Sequence, residues 1–219
     1  MGRRSLLKPE GYAKLLGVPS DEESLIRHYT LSPQDRFEAL ARRRPHNQLG
    51  FAVQLCLMRH PGRMLASGER PPEPMITYVA DQLGLNPEAF SAYADREETR
   101  LEHGRHLQQY LSVKLPAAED RRAALVAALD AAAAGDRGDR IVEAMIGALR
   151  ARRSLMLPEK QLDRIGLAAR ALARGKAHTA LLQDLSAEQL GALDKLLDAD
   201  PAIRQTRFGW LPRRRVPTI

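Results

Sequence analysis

The side chains of this sequence best suited to chemistry are arginines in three clusters: Arg42-Arg43-Arg44, Arg150 with Arg152-Arg153, and Arg213-Arg214-Arg215. Guanidinium groups at that density suit phosphate oxygens, which they meet with charge and paired donors. For the first two clusters a second reading stands equally: arginines at a helix end complement its C-terminal dipole. Pro212 and Pro217 bracket the third and break any helix, which favours a basic tail or linker over an arm on a nucleic-acid backbone. Asn47 and Gln48 follow the first cluster, and amide side chains can bond bidentately to adenine. Asn86, Glu88 and Ser91 form another polar set, with Ala92 beside them and Arg96 and Arg100 spaced to reach flanking phosphates. In such a set a carboxylate accepts from a cytosine amino group and a serine contacts several bases.

Bond-making chemistry is not indicated. His103 and His106 are three apart and could pair on a metal with Glu102, but neither a Cys nor a third His lies near in sequence, so they read as surface histidines. Cys56, the only cysteine, excludes an internal disulfide and a multi-cysteine zinc site, and reads as a core residue. Phosphate loops, nucleophile elbows and carboxylates spaced for two metals are all missing. No catalytic residue, metal or cofactor is expected.

The elements that must hold these residues read as helices almost throughout. Ser20 with Glu23 forms a capping box ahead of Leu25, and Ser32-Pro33 starts a segment ending near Arg43. Pro45 closes it, a second apolar segment runs from Asn47 to Arg59, and Pro61-Gly62 stops that one. Residues 64–74 read as a loop, and helical patterning resumes at Met75 and again at Asn86-Pro87, with a joint near Asp95. In the second half, Leu125 and Leu129, then Ile141, Met145 and Leu149, then Leu162, Ile165 and Ala169 mark three apolar stripes at spacings of three or four. Ser186 with Gln189 caps a last helix.

Within 76–96 the pattern meets five demands of a helix-turn-helix in order. Ala80 is small, Gly84 tolerates positive φ, Leu85 tucks inward, Asn86 caps ahead of Pro87, and Phe90 and Tyr93 fall three apart for the core. An ordinary helical hairpin is the competing reading. A looser unit spans 32–62, where Asn47, Gln48, Gln54 and Arg59 are the polar remainder of its second helix. The expected class is all-α, with tandem helix-turn-helix bundles over 1–65 and 66–112. An Ala-rich helical scaffold would follow over 113–200 and a basic tail or linker over 201–219.

Net charge is +7, from 34 Lys+Arg against 27 Asp+Glu. Residues 1–110 carry 15 basic and 14 acidic side chains and residues 111–219 carry 19 and 13, so local clusters inform more than the total. At 44% hydrophobic, the chain lies in the globular range. It has no apolar run near the roughly 20 residues of a membrane span and no apolar stretch behind Arg3-Arg4 to suggest a secretory leader, so a cytoplasmic protein without membrane contact is expected.

Leu25-Ile26-Arg27-His28-Tyr29-Thr30, the stretch from Asn47-Gln48-Leu49-Gly50-Phe51 through His60-Pro61-Gly62, Val79-Ala80-Asp81-Gln82-Leu83, and Tyr93-Ala94-Asp95-Arg96 through His103 follow one another in an order that resembles the N-terminal region of Tn3-family transposases. Weaker similarity continues through Arg150–Arg164 and Leu193–Leu197. The resemblance implies tandem helix-turn-helix domains that bind the terminal inverted repeats of a transposon. It also implies that the strand-cutting chemistry belongs to a separate C-terminal nuclease-like domain, so that this chain is no enzyme. The sequence departs from the family at Gln48, where a basic residue is usual, at Met58, where an aromatic is, and at Gln109-Tyr110, where a Gly-aromatic pair is. Double-stranded DNA at transposon ends is therefore the expected partner, bound at the bacterial nucleoid, with a second copy or a full-length transposase as further partners. The competing reading is a helical interaction module that regulates transposition. On the first reading, Asn86 or Ser91 to Ala should relax site preference, and Arg96 or Arg100 to Ala should weaken binding evenly.

Overall fold

A computed structural model describes residues 5–94, 97–200 and 205–206. They form eleven α-helices: α1 (Pro9–Leu16), α2 (Glu22–Tyr29), α3 (Pro33–Leu40), α4 (Pro45–Arg59), α5 (Glu73–Leu83), α6 (Ser91–Ala94), α7 (Glu97–Tyr110), α8 (Ala118–Ala134), α9 (Gly138–Ala151), α10 (Glu159–Leu182) and α11 (Ala187–Asp194). A 3₁₀ turn at Pro87–Phe90 leads into α6, and a two-residue antiparallel ladder joins Ala199–Asp200 to Gln205–Thr206. The fold is all-α.

Local chemistry explains the ends. Asp21, rather than Ser20, caps α2 by accepting from the Ser24 N–H. Ser32 and Asp35 form a reciprocal capping box on α3 with Pro33 in the first turn. Ser186 and Gln189 do the same for α11. Gly84 ends α5 in the left-handed region at φ 66°, and the N–H groups of Gly84 and Leu85 both reach the Ala80 carbonyl. A side chain other than glycine would strain that turn.

The chain divides into two compact units, residues 1–170 and 171–219. The first holds two cores. One is built round α4, which is buried at every position from Leu49 to Met58. It packs α2, α3 and α5 together with the 3₁₀ turn, α6 and α7. Because α4 is apolar all round, it serves the segments on both sides of residue 65, and the two expected bundles share one core instead of meeting at a boundary. Gly50 permits this: a Cβ there would overlap the ring of Tyr93, the residue α6 buries against α4.

The other core lies between α8, α9 and the first part of α10, where Ala124, Ala128, Ile141, Met145 and Leu162 are fully buried. Leu6 and Tyr12 belong to it and not to the first 65 residues' own core. Asp163 on α10 draws them there, accepting from the Leu6 N–H at 2.6 Å and the Tyr12 hydroxyl at 2.9 Å. Leu155, past the expected boundary near 112, packs in the first core. One strand-like pairing ties the two: Lys114 N–H donates to the Arg153 carbonyl, Leu155 N–H to Lys114, and Met156 N–H to Gly62.

The second unit contains the end of α10, α11 and the ladder. Leu172, Leu181, Leu193 and Leu197 are exposed in it. The Arg213-Arg214-Arg215 cluster, like Arg96, lies outside the described residues.

Candidate nucleic-acid interface

The structure sorts the expected contact residues into three groups. Arg43 and Arg44 are exposed in the turn between α3 and α4, and neither side chain makes an ion pair or hydrogen bond among the described residues. Arg42 is committed inward. Its guanidinium lies 4.5 Å from the centroid of the Phe51 ring and pairs with Glu38 at 3.4 Å.

The polar face expected on α4 is not an outward face. Gln54 is fully buried, its amide donating to the Arg100 carbonyl and its oxygen accepting from the Tyr93 hydroxyl. Gln48 donates to the carbonyls of Leu40 and Arg42, closing the C-terminal end of α3. Asn47 is half-buried, with its Oδ1 buried and unpartnered among the described residues. Arg59 is held bidentate by Asp35, both contacts at 2.7 Å. A helix sunk on all sides presents only its ends, so α4 cannot lie along a groove.

In the expected second helix-turn-helix segment, Asn86, Glu88, Ser91 and Ala92 are exposed, and the Ala-rich helices do not cover them. The element carrying them is tighter than expected, a 3₁₀ turn followed by one turn of α-helix. At three residues per turn Phe90 and Tyr93 lie on one side, and both are fully buried. Two of the polar side chains are partly spent on the turn: Asn86 accepts from the Glu88 N–H, and Ser91 donates to the Glu88 carbonyl. Among the described residues from 71 to 99 there is no basic side chain, while Asp81, Glu88, Glu97 and Glu98 are exposed.

Arg100, expected on phosphates, is a structural residue instead. It is buried, donates to the Leu65 carbonyl at 2.6 Å, and pairs with Glu97. His103 is buried too, its Nδ1 3.2 Å from the Tyr93 hydroxyl, so only His106 of that pair is at the surface. Burial, with the nearby Arg42 and His106 charges, lowers the His103 pKa to about 4. His103 therefore stays neutral beside the hydroxyl and serves packing. No group of His, Cys, Asp and Glu able to hold a metal occurs among the described residues. Burial pushes the Cys56 thiol up to about 12, which leaves it inert.

One basic feature escaped the patterning, and one expected cluster is only partly free. On α3, Gln34, Arg36, Phe37 and Leu40 are exposed, Phe37 at 67%, and Arg36 has no side-chain partner among the described residues. The signal was present: Pro33, Arg36, Phe37 and Leu40 keep a helical spacing while Asp35 and Ala39 supply the buried stripe. At the far end of α4, a cleft of about 200 Å³ is bordered by Arg59, Arg150, Arg153, Gly62 and Met156. Arg150 and Arg153 are exposed without ion pairs among the described residues, whereas Arg152 is taken by Asp120 at 2.6 Å.

The fold and this surface define a class: an all-α protein with free arginines among its described surface residues. A family model described as "Domain of unknown function (DUF4158)" matches residues 6–169, and the chain belongs to that family. Over 96% of its length it is 33% identical to the transposase for transposon Tn501 of Pseudomonas aeruginosa and 35% identical to the transposase for transposon Tn21 of Escherichia coli, covering 21% of each. The transposase for transposon Tn3926 of Escherichia coli is likewise 35% identical with the same coverage. These are Tn3-family transposases, and the matched part is their N-terminal region. The chain spans about a fifth of the length of the curated relatives it matches. Among the described residues no helix is long and apolar enough to cross a membrane.

Proposed function

We propose that this chain binds double-stranded DNA at the ends of a transposon, as the end-reading part of a transposase, and performs no strand transfer itself. The observation that carries the reading is the set Arg36, Arg43 and Arg44: three exposed guanidinium groups within nine residues, none neutralised by a carboxylate among the described residues. Unpaired arginines gain most from phosphate, because nothing must be broken to free them and bound counterions are released when they dock. The kinship with transposases supplies the kind of DNA.

A fluorescence-anisotropy titration tests it, using a labelled duplex from the transposon's own terminal repeat and a scrambled duplex of equal length. Tighter binding to the terminal duplex is expected, weakening steeply with salt. Arg43→Gln with Arg44→Gln should lower affinity for both duplexes alike and reduce the salt slope by about two phosphate contacts. Equal affinity for the two duplexes would refute end recognition. Exposed Leu172, Leu181, Leu193 and Leu197 in the second unit favour an additional role in docking a protein partner. Self-association without DNA preference would make that role the principal one.

A further inference from the structure

We infer that α3, and not α4 or the turn at 86–91, is the helix that enters the major groove, with Gln34, Arg36 and Phe37 as its base-reading side chains. The inference rests on the DNA-binding reading above and specifies which surface carries sequence preference.

Four observations converge. First, α2, the three-residue turn Thr30-Leu31-Ser32 and α3 have the connectivity of a helix-turn-helix, and both helices pack on α4 and α5. Second, α3 sinks only Asp35 and Ala39, one i,i+4 stripe, and leaves Gln34, Arg36, Phe37 and Leu40 to solvent. Third, the charge is right. Arg36, Arg43 and Arg44 are unpaired, while Asp35 is buried under Arg59 and Tyr110, and Glu38 is half-buried against Arg42. Fourth, the exposed part of α3 contains side chains with defined base partners: Gln for adenine, Arg for guanine, and an aromatic for the thymine methyl.

Size decides between DNA and a second copy of the chain. Eight residues of helix are about 12 Å long. A stable protein interface needs around 800 Å² from each partner, more than one such helix face provides. The major groove is about 12 Å wide and admits one α-helix. The competing turn at 86–91 partly spends Asn86 and Ser91 on its own backbone, and α4 is buried.

The test is selection from a random-sequence duplex library by the full chain, with Gln34→Ala, Arg36→Ala and Phe37→Ala compared with Glu88→Ala. All four positions are exposed, and circular dichroism with thermal melting should show unchanged folding. The wild type is expected to enrich one motif. Each α3 variant should lose roughly tenfold or more discrimination at one or two adjacent base pairs. Gln34→Ala and Phe37→Ala should keep their affinity for unselected duplex, Arg36→Ala should lower it as well because a cation is removed, and Glu88→Ala should leave those base pairs unchanged. If the wild type enriches a motif that all three α3 variants also enrich, the α3 assignment is overturned and the DNA-binding reading stands. If the wild type enriches nothing, both fall. A dimer in sedimentation that Phe37→Ala dissolves, with the motif retained, would assign the face to a second copy and overturn the inference.

Discussion

Asp35→Asn is the sharpest test of how α3 is held. Asp35 is fully buried and its two oxygens accept from both terminal nitrogens of Arg59 at 2.7 Å, from the Tyr110 hydroxyl at 2.8 Å and from the Ser32 N–H at 2.8 Å. One carboxylate thus joins α3 to α4 and α7. Burial alone would raise its pKa, but Arg59, Ser32 and Tyr110 outweigh that and bring it from the ordinary 3.8 down to about 2. At about 1.4 kcal/mol per pKa unit, the ionised form contributes on the order of 2 kcal/mol. A capping interaction and charged hydrogen bonds give a similar figure, because Arg59 is 36% exposed and can turn to water when its partner is lost. We therefore expect Asp35→Asn to cost roughly 2–3 kcal/mol in urea unfolding at pH 7 and to lower Tm by roughly 4–12 °C. The sign of the pH effect follows from the lowered folded-state value. Stabilisation is complete above pH 3.8 and is lost as pH falls toward 2, so the variant should show a shallower acid slope in that window than the wild type. Stability within about 0.5 kcal/mol of wild type, or an unchanged acid slope, would refute the reasoning.

Gly50→Ala should destabilise by about 1–3 kcal/mol, because its Cβ meets the fixed base of the Tyr93 ring, while Gly147→Ala on the open face of α9 should stabilise by up to about 1 kcal/mol; chemical denaturation of both checks the contrast. His60 and His103 should titrate near 4 in NMR, His60 because of burial, the stacked His28 and nearby Arg150. Both favour the neutral imidazole in the folded chain, so stability should be full above pH 6.5 and fall as pH drops toward 4, and a midpoint of 6 or higher for either would count against the packing described.

Much of the fold was legible because its signals are local. Ser32-Pro33 announced α3, Gly84 ended α5 at the expected turn, and Phe90 and Tyr93 are fully buried as their spacing required. What sequence could not supply was the accounting of polar side chains over long range. Arg100 looks like a phosphate contact until Leu65 is known to lie against it, and Gln54 looks outward until Tyr93 and the Arg100 carbonyl surround it. Those partners are 35, 39 and 46 residues away, and no periodicity encodes them. The capture of Leu6 and Tyr12 by Asp163, more than 150 residues on, was invisible for the same reason.

The resemblance to transposases rests mainly on what packs. Its longest stretch, Asn47 to Gly62, is α4 and the turn after it, the helix buried at every position from Leu49 to Met58. A strut of that kind must satisfy neighbours on all sides, so few residue types fit there whatever DNA is met. Side chains that read bases answer to a different requirement, because each must match the particular end it recognises. Residues 31–46, where Gln34, Arg36, Phe37, Arg43 and Arg44 lie exposed, fall between the stretches that carry the resemblance. Similarity over α4 thus identifies the frame, and the sequence preference we propose for this chain rests on the short exposed helix mounted on it.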